Sequence, residues 1–417
     1  MKEVVVTGLG FITCIGNDKE TVLDSLKNLK SGIDKYEGFD DPKIPVHVLG
    51  DLKEFNANSV DAEDWEYPSK YKISRSILRG FSPNALFGYC SSIQAIEDAG
   101  LTLEDVSNED TGLYTASAGS SGLLTDNISR MHKFGVEKTN PKGIIACVAG
   151  TLSFNLVSLL KIKGSSCGFV SACASSGHAL GMAFDEIQSG KQSRMVVVGA
   201  EDCTVDCVLP FGSMRALSPN PDPKTASRPF DKDRDGFVGT GGGVTFILED
   251  KEVALARGAK IYCEMAGWGK TSDGFNPVLP DPVGGGLVRA IKQALKYSNL
   301  TAGDVDYVNA HAPSTPAGDM AEILALREVF KDVDCPAISS TKSITGHGLS
   351  LASILEAGLS ILSMENGFCP GSANIENLEP EAESLNIIRE SLESNPKVIL
   401  SNSSGFGGAN VCLAFKK

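Results

Sequence analysis

Short runs rich in β-branched residues alternate along the chain with longer stretches whose apolar positions recur at i, i+3, i+4 and i+7. The runs at 3–7, 112–115, 195–198, 244–248, 261–267, 307–310 and 398–400 predict strands. The stretches at 84–99, 174–189, 286–298, 318–330 and 349–366 predict helices, and the alternation is the order of an α/β protein. Residues 144–160 are the longest other apolar stretch. Thr151, Ser153, Asn155 and Ser158 interrupt it, and it falls short of the roughly 20 apolar residues of a membrane span, so it predicts a buried core helix. Residues 4–15 imitate a signal-peptide core and Cys14 a lipoprotein cysteine, but Glu3 and the Gly8-Leu-Gly10 break argue against both.

No low-complexity linker divides the chain, yet a loose internal echo does. A strand, a small-residue turn and a long helix around Cys173, ending Ser189-Gly190, recur around His347, ending Asn366-Gly367. Either two α/β units resemble each other by chance, or the chain is two similar halves, 1–250 and 251–417, that meet at a shared site.

Composition narrows the function. The 417 residues are 42% hydrophobic and 22% charged, which suits substantial cores and excludes disorder. With 38 basic and 52 acidic side chains the net charge is -14, so a general grip on nucleic acid or anionic membrane is not expected. Eleven cysteines, an odd number, are too few for a disulfide scaffold of this length, and Cys203-x-x-x-Cys207 lacks a second ligand pair for zinc. Reduced thiols in a cytoplasm fit best. Three motif-like segments fail on inspection. Asp231-x-Asp233-x-Asp235 has Gly242 where a calcium loop needs glutamate. Gly239-Thr-Gly-Gly-Gly243 leads into a strand and reads as close backbone packing. Gly8-x-Gly10 has Thr13 in place of the third glycine of a dinucleotide fingerprint.

Chemistry concentrates in three segments. Phe169-Val-Ser-Ala-Cys173-Ala-Ser-Ser-Gly-His178 puts a cysteine between a β-type run and the start of a helix, where the helix dipole favours thiolate and small neighbours leave access. His178 on that helix reads as packing. Asn309-Ala-His311-Ala-Pro-Ser-Thr-Pro-Ala-Gly318-Asp319 and Ser339-Ser-Thr-Lys342-Ser-Ile-Thr-Gly-His347-Gly each place a histidine in a loop, the second beside a lysine.

Together with Val6-Thr-Gly-Leu-Gly10, Ser227-Arg-Pro-Phe-Asp231, Arg234-Asp-Gly-Phe-Val238 and Ser401-Asn-Ser-Ser-Gly-Phe-Gly-Gly408, these segments make the chain resemble the type I and II β-ketoacyl-[acyl carrier protein] synthases of the thiolase-like superfamily, along nearly its whole length. The resemblance implies two α/β halves in a layered αβαβα core and decarboxylative Claisen condensation of an acyl thioester with malonyl carrier protein. It implies Cys173 as the acylated nucleophile, His311 and His347 as hydrogen-bond donors to the enolate, and an oxyanion hole from the amides of Cys173 and Phe406. Lys342 is then the lysine that orients the histidines, with Glu322 and Asp319 as its counter-charge, and Phe406 the gate of the acyl pocket. Ser314, Thr315, Glu322 and Phe406 would contact substrate, and Gly119 would stand at the deep end of the acyl pocket at a dimer interface. No metal or other cofactor is implied, because the substrates ride on phosphopantetheine.

The chain departs from the family pattern at Pro313, where a threonine usually holds pantetheine, at Ser404, usually phenylalanine, and at Gly348, Ser350 and Ser353. A carrier protein of this kind is acidic, so docking needs a local basic patch, for which Lys70, Lys72, Arg75, Arg79, Arg130, Lys133 and Arg215 are the candidates. A homodimer is expected, with a heterodimer of related subunits as the alternative. Two competing functions are a non-elongating partner subunit, against which the intact Cys-His-His set argues, and a thiolase acting on coenzyme A thioesters. The latter needs a second reactive cysteine, and Cys412 falls inside the last strand.

Overall fold

The computed structural model describes residues 1–41, 43–202 and 204–417, so the Cys203 end of the Cys203-x-x-x-Cys207 spacing lies outside the described residues. The first strand is longer than predicted, Val4–Ile12, and runs through both glycines. A Cβ on Gly8 would lie 2.3 Å from the Ala95 carbonyl oxygen and one on Gly10 2.0 Å from that of Ser91. The glycines therefore let the helix Pro83–Asp98 lie directly on the strand.

Ten strands pair in the order Ser166–Phe169, Thr111–Ala116, Arg194–Glu201, Gly242–Asp250, Val4–Ile12, Cys263–Ser272, Ala409–Lys416, Val398–Gly405, Tyr307–Asn309, Ala337–Ser339. Numbered by chain position within each set of five, both sets read 3-2-4-5-1 from edge to middle. In both, the 3–2 and 2–4 pairs are parallel and the 4–5 and 5–1 pairs antiparallel. Among the described residues the two sets of strands pair only where residues 4–6 meet 263–265. A repeated order of this kind is what internal duplication produces. The sequence echo falls on the corresponding connection in each set: the helix Ser175–Gln188 ends before Gly190 at φ 75°, and the helix Ala352–Glu365 before Gly367 at φ 72°.

These two helices pack on each other and on strands of both sets, and form the middle layer. Pro83–Asp98 and Thr151–Leu159 cover the outer face of the first set, Gly285–Tyr297 and Pro316–Phe330 that of the second. The result is the expected layered αβαβα core, with the largest apolar cluster around the central helices.

The apolar stretch 144–160 does not form one buried helix. It makes two, Gly143–Cys147 and Thr151–Leu159, with Ile144, Ile145 and Phe154 at 57%, 40% and 54% exposure. Thr151–Leu159 packs near the edge strand Ser166–Phe169, whose Ser166, Cys167 and Gly168 are also exposed. Among the described residues no helix is long and apolar enough to cross a membrane, and the ten described cysteines are free thiols.

Candidate active site

Cys173 sits in the turn between the strand Ser166–Phe169 and the helix Ser175–Gln188. The turn is tight because Ala172 adopts φ 50°, a left-handed conformation that costs a non-glycine residue about 1–2 kcal/mol. Ser175 holds it: its Oγ accepts from the Ser171 amide at 2.8 Å and donates to the Ala172 carbonyl at 2.6 Å. The Cys173 side chain is half-buried.

His347 stands between the short helix Lys342–Thr345 and the turn Leu349–Leu351. Its amide donates to the Val238 carbonyl at 2.7 Å and its carbonyl accepts from the Thr240 amide at 3.1 Å, so the backbone is clamped on both sides. The ring meets Phe237 edge-on at 5.2 Å and His311 at 5.2 Å and 84°. Its Nε2 lies 3.0 Å from Cys173 Sγ. His311 follows the strand Tyr307–Asn309 and is fixed by Glu322, whose carboxylate accepts from the His311 and Ala312 amides at 3.0 and 2.7 Å. Thus the sheet ends of both halves deliver one three-residue cluster, with the sulfur and one nitrogen of each ring all within 4.8 Å.

The electrostatics differ from the sequence expectation in two respects. Burial pushes the Cys173 thiol up to about 12; Lys342 pulls it down, while Glu356 and Glu201 push it further up. Desolvation prevails over the Lys342 charge, and the resting sulfur keeps its proton. Burial also drives both histidines well below their usual range, and the Lys342 ammonium acts in the same direction, so both rings are neutral. That ammonium acts on all three donors and opposes a metal cation among them. The second correction concerns its partner. Lys342 Nζ pairs with Glu356 Oε2 at 2.7 Å, both side chains fully buried, whereas Glu322 is spent on the His311 loop and on Asn402 Nδ2 at 3.1 Å. Asp319 accepts from the Ser314, Thr315 and Phe230 amides.

A cleft of about 290 Å³ opens onto the cluster and is lined by Cys173, His311, His347, Thr315, Glu322, Phe406 and Arg215, with Pro313 and Ser404 in its wall. Its other walls are mostly apolar, among them Phe211, Met214, Phe237, Val278, Leu279 and Leu349. Phe406 packs 6.1 Å from Phe211. Gly405 brings the Phe406 turn against Cys173: a Cβ there would lie 2.9 Å from the Cys173 amide nitrogen.

Other predicted residues fall elsewhere. Ser314 is fully buried at φ 76°, and its Oγ accepts from the Arg228 amide, so it holds the loop rather than facing the cleft. Gly119, at φ 86°, does not line the cleft; a Cβ on it would lie 2.6 Å from the Cys147 carbonyl oxygen of the same chain. In the basic patch, Arg75 and Arg79 both pair with Glu63, and Arg130 pairs with Asp126 and Asp61, so these arginines are charge-compensated. Lys70, Lys72 and Lys133 are exposed, and Arg215 alone of the seven lines the cleft. Sequence reasoning missed Glu356, Phe237 and Glu201. For Glu356 the signal was present: one acid in the otherwise uncharged run Ser353-Ile-Leu-Glu-Ala-Gly-Leu of a helix that had to be buried.

Comparison with known proteins identifies the family. Residues 1–254 match the family profile described as beta-ketoacyl synthase, N-terminal domain, and 262–376 that of the C-terminal domain. The chain is 42% identical to 3-oxoacyl-[acyl-carrier-protein] synthase 1 of Haemophilus influenzae and 39% to that of Escherichia coli strain K12, covering 100% of this chain and 99% of each relative. A beta-ketoacyl synthase structure from Burkholderia phymatum superposes with TM-score 0.91 at 30% identity over 100% of both chains. A type II ketosynthase solved with its acyl-carrier protein, AntDE:AntF, gives TM-score 0.88 at 25% identity, over 100% of this chain and 99% of that one.

Proposed function

Since the chain belongs to the β-ketoacyl synthase family, we propose that its cleft performs the condensation of that family by the following course. The chain is an acyltransferase that extends an acyl thioester by two carbons from malonyl-[acyl carrier protein]. The observation that carries the reading is the 3.0 Å approach of His347 Nε2 to Cys173 Sγ with His311 on the same cleft.

In the first half-reaction the Cys173 proton passes to the departing carrier thiol as sulfur takes the acyl group, and His347 is placed to relay it. The backbone of the Gly405-Phe406 turn, pressed against the Cys173 amide, supports an oxyanion hole for the tetrahedral intermediate. In the second, carbon dioxide leaves malonyl thioester and its bonding pair becomes an enolate. Two neutral imidazoles suit this step, since each donates a hydrogen bond to the enolate oxygen without giving up a proton. The enolate carbon then attacks the acyl-Cys173 carbonyl, the C–S bond breaks, and the departing thiolate takes up one proton from water. Burial, with the Lys342 ammonium, holds the rings neutral. Thr315 stands in the cleft wall to meet the carrier's pantetheine arm, and Pro313 removes one hydrogen bond from that arm. No metal or other cofactor enters the course.

The partner is an acidic carrier protein in a cytoplasm, with Arg215 at the cleft and exposed Lys70, Lys72 and Lys133 as its contacts, and Arg75, Arg79 and Arg130 available once their acidic partners are displaced. The chain forms a homodimer through the edge strand Ser166–Phe169: a free sheet edge and the exposed Ile144, Ile145, Phe154 and Val170 coincide there. Residues 1–250 and 251–417 are its two halves. Cys412, fully buried inside Ala409–Lys416, offers no second reactive thiol and disfavours the thiolase reading.

Mass spectrometry of the protein mixed with acyl and malonyl carrier proteins tests the reaction. Carbon dioxide release and a product two carbons longer are expected, and the longer product is lost in Cys173→Ala. His311→Ala or His347→Ala is expected to slow malonyl decarboxylation at least about 10²-fold. Undiminished decarboxylation in both histidine variants would reduce them to core residues.

A further inference from the structure

The nucleophile turn belongs to the first half of the molecule, but one of its anchors comes from the second. Ser353, the second residue of the helix Ala352–Glu365, is 1% exposed, and its Oγ donates to the Cys173 carbonyl at 3.1 Å. The next residue is stitched the other way: the Ile354 amide donates to Ser176 Oγ at 3.1 Å. A third bond pins the preceding turn, where the Ser350 amide donates to the buried Glu201 carboxylate at 3.1 Å. Six residues upstream of Ser353 the same segment carries His347.

The nucleophile turn needs such support. Ala172 holds a left-handed φ of 50°, and Ser175 secures only the peptides before the cysteine, through Ser171 and Ala172. The Cys173 carbonyl lies on the far side of the residue whose sulfur reacts. Fixing it sets the orientation of the Cys173 peptide, and so where both Sγ and the backbone amide point. Because the fixing group rides on the segment that carries His347, it also sets the distance between the two reacting groups across the halves. Crowding shows that the serine is built in: a Cβ on Gly177 would lie 3.0 Å from Ser353 Oγ.

We propose that Ser353 is a positioning residue for acyl transfer, which holds the Cys173 turn at its working distance from His347 through the Cys173 carbonyl. The inference rests on the reaction proposed above, in which Cys173 takes the acyl group while the histidines serve decarboxylation. It separates the two half-reactions, because the Ser353 bond touches the nucleophile and not the histidine rings.

Removing one such hydrogen bond is expected to slow the acylation of Cys173 by roughly 3- to 10-fold in Ser353→Ala. Malonyl decarboxylation should stay within about twofold of the parent. Ser353→Thr keeps the hydroxyl and should restore acylation. The measurement is a single-turnover acylation rate from acyl carrier protein, paired with the iodoacetamide alkylation rate of Cys173, which needs no carrier substrate. Alanine and threonine variants that behave alike, or an equal fall in both half-reactions, would overturn the assignment. Parent protein that alkylates at Cys173 but never accepts an acyl group would instead overturn the reaction itself, and the alkylation ratio of the two variants would still decide the role of Ser353.

Discussion

Cys173 carries its proton at rest, because a thiol pushed up to about 12 by burial is neutral throughout the physiological range. Its alkylation by iodoacetamide should therefore keep rising from pH 7 to pH 9; a rate already level at pH 7 would reveal a resident thiolate instead. The buried pair behind the histidines makes a second residue-scale prediction. Glu356 is raised to about 7, chiefly by burial, and is ionised at pH 8. There, Glu356→Gln leaves Lys342 without its counter-charge and should cost about 3–5 kcal/mol in urea denaturation. Glu322→Gln, which leaves that pair intact, should cost less. The reverse ranking would return Glu322 to the role that sequence reasoning gave it.

At the scale of elements, backbone contacts decide what side chains can do. Gly119 follows the strand Thr111–Ala116 with φ 86°, and its Cα faces the backbone at 147–149 of the same chain. Gly119→Ile would place a branched side chain 2.6 Å from a carbonyl oxygen in a left-handed conformation. The expected outcome is a lower Tm with the relative rates on short and long acyl carrier proteins unchanged. A shift toward short chains at unchanged Tm would put Gly119 back in the acyl pocket. The same logic explains the 144–160 stretch, where apolar periodicity reported a buried face but not what buries it. Phe154→Glu, placed beside the free edge of Ser166–Phe169, should convert the protein to monomer in analytical ultracentrifugation, and a variant that remained dimeric would place the interface elsewhere.

For the molecule as a whole, the cluster makes stability depend on pH in two opposed ways. His311 and His347 are held neutral in the fold, while the unfolded chain protonates them near pH 6.5, so they cost stability as pH falls below that value. Glu201 and Glu356 are raised to about 7 from an ordinary 4.5; the unfolded chain releases their protons first, and stability is lost as pH rises from about 4.5 to 7. The histidine and glutamate slopes therefore oppose each other between about 4.5 and 6.5. A His311→Asn, His347→Asn double variant should gain stability relative to the parent as pH is lowered from 7 to 5, read from urea midpoints at each pH. A constant difference across that range would show that the rings titrate freely in the fold.

The order of strands and helices, the Cys173 turn and the two histidine loops were legible in the sequence, because periodicity, small-residue turns and glycine helix ends are local properties of the chain. Even the repeated strand order left a trace, in the Ser189-Gly190 and Asn366-Gly367 endings of the two central helices. What the sequence could not rank was set by neighbours far apart along the chain. Lys342 took Glu356, which is also the nearest of the three acids along the chain, because Glu322 and Asp319 were already needed by the amides of 311, 312, 314 and 315. Helix position alone lowers a cysteine's pKa, and only the packing of both halves around Cys173 raises it. Local pattern determined which groups this protein carries; tertiary structure decided their partners and protonation, since burial and charge act through space and not along the chain.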